Sequence, residues 1–128
     1  MAKLDYTKIC IIGGEIGEPY LTEVLTLDKV LSKKYNFKTA LSEAENAEKI
    51  ESFISASIEN GGFGTIIFIT YNHHKLAKET AGKYEGVKVI VVSSALENLK
   101  DKIELDEKLY YVHKDEKSHE EIAKIIGF

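Results

Sequence analysis

The sequence predicts a three-layer αβα domain, in which a five-stranded parallel sheet carries helices on both faces. Short, unbroken apolar runs at 9–12, 66–69 and 89–92 read as strands buried on both sides, since a strand with one wet face would alternate with polar residues. Stretches with apolar residues at helical spacing separate these runs. The 128 residues contain no linker, internal repeat or low-complexity segment, so residues 1–128 are expected to form one domain.

The first strand is Lys8-Ile9-Cys10-Ile11-Ile12, ended by Gly13-Gly14. Pro19 suits a first helical turn, and Tyr20, Leu21, Val24, Leu25, Leu27 and Leu31 form the apolar stripe that follows. Phe37 to Leu41 is the second strand. Ser42-Glu43-Ala44-Glu45 fits a capping box, ahead of a helix with Ala47, Ile50, Phe53, Ile54, Ser57 and Ile58 on one side and Asn60-Gly61-Gly62 as its stop. Thr65 to Thr70 is the most apolar strand and is placed at the centre of the sheet. Asn72 is positioned to cap a helix from His73 to Tyr84, and Val87 to Val92 is the fourth strand. A short helix marked by Leu96, Leu99 and Ile103 comes next, followed by a fifth strand from Leu109 to Val112. Ser118-His119-Glu120-Glu121 repeats the capping box ahead of Ile122, Ile125 and Ile126. Five βα units of this length predict the flavodoxin-like strand order 2-1-3-4-5.

Composition narrows the classes of function. The chain is 44% hydrophobic and 30% charged, which are ordinary globular values. No apolar run approaches the roughly 20 residues of a membrane helix, so membrane insertion is not expected. The N-terminal Met1-Ala2-Lys3-Leu4-Asp5 has no signal-peptide stretch, and a cytoplasmic location is expected. With a net charge of −4 and interleaved acids and bases there is no basic stripe, and nucleic acid is not an expected partner. Cys10, the single cysteine, falls inside an apolar strand, where a buried and inert thiol is the expected state.

Ligands of open α/β sheets bind beyond the carboxyl ends of the strands. That rule selects Gly13, Gly14, Glu15 and Gly17 after the first strand, Thr70, Tyr71, Asn72 and His73 after the third, Ser93 and Ser94 after the fourth, and His113 and Lys114 after the fifth. The loop from Gly13 to Pro19 could cradle a phosphate on backbone amides. It also reads as a tight strand-to-helix turn, because Ile12 stands where a dinucleotide fingerprint has its first glycine and Glu15 and Glu18 oppose an anion. Adjacent His73 and His74 do not share a helix face and so do not form a zinc pair, and no metal or cofactor is expected.

In element order the chain resembles a response-regulator receiver domain of the chemotaxis-regulator type. The likeness is strongest in Val89-Ile90-Val91-Val92-Ser93-Ser94-Ala95, which resembles the fourth strand with its switch hydroxyl. Tyr110-Tyr111-Val112-His113-Lys114 resembles the lysine-bearing fifth strand, and Ser118-His119-Glu120-Glu121 the start of the last helix. Where that family carries two acids after the first strand this chain has Gly13-Gly14, and where it carries the phosphorylated aspartate this chain has Thr70 or Tyr71. The resemblance therefore implies a pseudo-receiver that acts by binding, not by aspartyl phosphorylation.

A second resemblance, in Gly62 to Thr70 and Ser42 to Ile54, is to the F subunit of V-type or archaeal rotary ATPases. A third is to small sugar-phosphate isomerases, although Cys10 is not on the strand that carries their base. The expected function is a non-catalytic regulatory module that binds another protein, or a second copy of itself, through Tyr110 and Tyr111. The alternatives are a nucleotide, flavin or phosphosugar site at the Gly13–Gly17 loop, and a rotary-ATPase stalk subunit.

Overall fold

A strand buried on both faces needs helices above and below it, and the computed structural model of the chain meets that need. It describes residues 3–13, 18–42, 47–69, 74–93, 109–114 and 117–127. The elements are β1 (Asp5–Ile12), α1 (Glu18–Lys33), β2 (Lys38–Ser42), α2 (Ala47–Gly61), β3 (Phe63–Ile69), α3 (His74–Lys83), β4 (Lys88–Ser93), β5 (Leu109–His113) and α4 (Ser118–Ile126). All strand pairs are parallel, in the order β2-β1-β3-β4-β5, so the fold is flavodoxin-like. The helix expected around Leu96, Leu99 and Ile103 lies outside the described residues, as does Asn72. No helix among the described residues is long and apolar enough to cross a membrane.

β3 lies at the centre, and all seven of its residues are buried. Ile66 and Phe68 join Cys10, Ile12, Val89 and Val91 in a core covered by Ile50, Ile54 and Ile58 of α2 and by Leu76 and Ala77 of α3. Ile67 and Ile69 join Ile9, Ile11, Ile90 and Val92 in a second core, covered by Leu31 of α1 and by Ile122 and Ile126 of α4. The period of two along each strand thus sorts one apolar run into two cores.

The capping box expected at Ser42 lies mostly outside the described residues: Ser42 ends β2, in register with Ile12, and the described part of α2 starts at Ala47. Two other local expectations are corrected. Ser118 is the first residue of α4 and not its cap. Lys117 holds the cap position without a side-chain capping hydrogen bond, and the Ser118 hydroxyl donates to the His113 carbonyl at 3.0 Å. Leu25 leaves the expected stripe of α1 and is 49% exposed, while Leu27 and Leu31 face the core. The stop signal after α2 acts as the sequence implies, with the Gly62 N–H bonded to the Ile58 carbonyl and Gly62 at φ +69°.

The amino ends of the strands are locked together by polar contacts. The Tyr6 hydroxyl donates to the Gly86 carbonyl at 2.7 Å. Lys88 lies 4.5 Å from the centre of the Tyr6 ring and donates to the Ile125 carbonyl at 2.6 Å, so one side chain ties β4 to β1 and α4. Gly64 makes room for this arrangement. A Cβ there would stand 2.9 Å from the Asp5 carbonyl carbon and 3.0 Å from Cδ1 of Tyr6, beside a register shift between β1 and β3.

Gly64→Ala is expected to destabilise the fold by about 1–3 kcal/mol through overpacking. Phe68→Ala should cost about 3–5 kcal/mol through an unfilled cavity. Urea unfolding midpoints measure both, and a Gly64→Ala midpoint equal to that of the parent would show that β1 and β3 are not held this closely.

Candidate functional site

Parallel strands bring all five carboxyl ends to one rim of the sheet, and the strand order reverses between β1 and β3. Of the residues expected there, Gly13, Ser93, His113 and Lys114 lie among the described residues. Gly14, Glu15, Gly17, Thr70, Tyr71, Asn72, His73 and Ser94 lie outside them. Gly13 directly follows β1 and is partly buried.

Ser93 is the last residue of β4, only 6% exposed, and is paired in register with His113. Its carbonyl accepts the Lys114 N–H at 3.1 Å, while the His113 carbonyl accepts the Ser118 hydroxyl. These bonds fix the backbone where β5 turns toward α4. Nδ1 of His113 is buried there without a hydrogen-bond partner.

His74 stands next to the expected His73. As the first residue of α3, it reaches β5, where Nε2 lies 2.6 Å from the Tyr111 hydroxyl and the two rings are tilted 41° with centres 5.7 Å apart. Strand alternation separates the two tyrosines. Tyr111 packs against the core under α2 and α3, whereas Tyr110 is 42% exposed and faces an open groove with Tyr6 and Lys88.

Sequence reasoning selected His113 by its place at the end of the fifth strand, but not His74. Thirty-seven residues separate His74 from Tyr111, and no local pattern announces that contact. Its one signal is the two-residue period of β5, which places Tyr111 and His113 on the same side.

The rim therefore presents hydroxyl and imidazole groups. Among the described residues, no group of three or more His, Cys, Asp or Glu side chains could hold a metal ion. Cys10 is fully buried, and burial pushes its thiol up to about 11 despite a hydrogen bond with Ser57 that acts the other way.

Two measurements check this geometry. Because the raised thiol stays protonated below a pH of about 11, iodoacetamide at pH 8 should modify Cys10 only as fast as the protein opens. Rapid labelling of the native chain would contradict the burial. Tyr111→Phe should lose about 0.5–1.5 kcal/mol with its bond to His74, while Tyr110→Phe should stay within about 0.5 kcal/mol of the parent in the same denaturation assay. Compared with protein-family models, curated proteins and solved structures, the chain matches none.

Proposed function

We propose that this chain is a non-catalytic regulatory or interaction module of receiver-like fold that binds another protein through the β5 edge. The observation that carries the reading is Tyr110, a large side chain 42% exposed on an edge strand. The two edges differ in how they are protected. β2 opens on the exposed Lys38, a charge that discourages strand addition, whereas Leu109-Tyr110-Tyr111-Val112-His113 contains neither a charged residue nor a proline. Tyrosine is also among the residues that most often carry binding energy at interfaces.

The carboxyl rim supports binding over phosphoryl transfer. β1 runs directly into Gly13, and Ile69 at the end of β3 is followed in the sequence by Thr70 and Tyr71, so neither strand leads into the carboxylates that an aspartyl phosphate and its metal ion require. Ser93 and Lys114 occupy the positions at which the receiver resemblance places a hydroxyl and a lysine, and here their backbone atoms pin β4 to β5.

A second reading, a small-molecule site at the same rim, is favoured by the unpartnered Nδ1 of His113 beside Ser93 in the strand register. Thermal unfolding in the presence of nucleotides, flavins and sugar phosphates separates the two. A ligand at about 100 times its dissociation constant would add roughly 2.7 kcal/mol of stability. A reproducible shift lost in His113→Ala would favour the small-molecule site, and a flat response favours the interaction module.

For the leading reading, the immobilised chain is expected to retain a partner from a lysate of its source, and Tyr110→Ala to weaken that retention at least about tenfold, the equivalent of about 1.4 kcal/mol. Equal retention by Tyr110→Ala and the parent would remove β5 as the docking edge. Incubation with acetyl phosphate and Mg²⁺ should leave the intact mass unchanged, and a phosphorylated species would overturn the pseudo-receiver assignment.

A further inference from the structure

We draw no further inference here: the strongest candidate, the open groove of about 690 Å³ at the amino ends of the strands, lined by Tyr6, Glu85, Gly86, Lys88 and Tyr110, carries nothing because nothing in the structure shows what covers it.

Discussion

Burial of β3 on both faces is the constraint from which the other elements take their places. An apolar strand cannot leave either face in water, so its flanking strands must also be apolar on both sides and helices must be shared between the faces. Phe68 and Ile66 look toward α2 and α3, and Ile67 and Ile69 toward α1 and α4. Neither core closes without residues from both halves of the chain. The polar rim and the locked amino ends are then the two ends of one slab, and each has its own chemistry.

At the amino ends, polar atoms are used to hold elements together. Lys88 places its charged head on a helix-end carbonyl and an aromatic face, a favourable setting for a cation at the C-terminal end of a helix. On the far edge of the sheet, Thr39 donates to Asp28, fastening β2 to α1. Tyr35 stacks on Phe37 and bonds His119, joining the chain after α1 to α4. At the carboxyl rim, by contrast, the described polar groups gather around β4 and β5. Backbone bonds hold that corner while one imidazole nitrogen is left unmatched.

Most of the architecture was legible because it rests on patterns with a physical period. The runs at Ile9, Ile66 and Val89 announce buried strands, and Ile50, Ile54 and Ile58 announce the inward face of α2. The capping box at Ser118 misled because a short motif competes with tertiary contacts. Lys117 holds the cap position, and the Ser118 hydroxyl is spent on the His113 carbonyl. Leu25 sits at the margin of a wide stripe, where spacing alone does not decide which way a side chain turns. The rim was legible only as a place. Position relative to strand ends selected Ser93 and Lys114, while the contact between His74 and Tyr111 depends on how α3 crosses toward β5, which no short window of sequence encodes.

The order β2-β1-β3 has a consequence for how the chain can be made and divided. β1 reaches one of its partners only after more than fifty residues, and Tyr6 meets Gly86 eighty residues later in the chain. Such distant pairings must close long loops before any contact repays the entropy, which slows folding and postpones it. Ile9, Ile11, Ile67 and Ile90 also await cover from α4, the most C-terminal of the described helices. A chain emerging from the ribosome thus carries an unfinished apolar face until α4 is made, and a fragment cut before Ser118 would keep that face permanently. The sheet and its two cores are therefore completed by α4 and not built up element by element from β1.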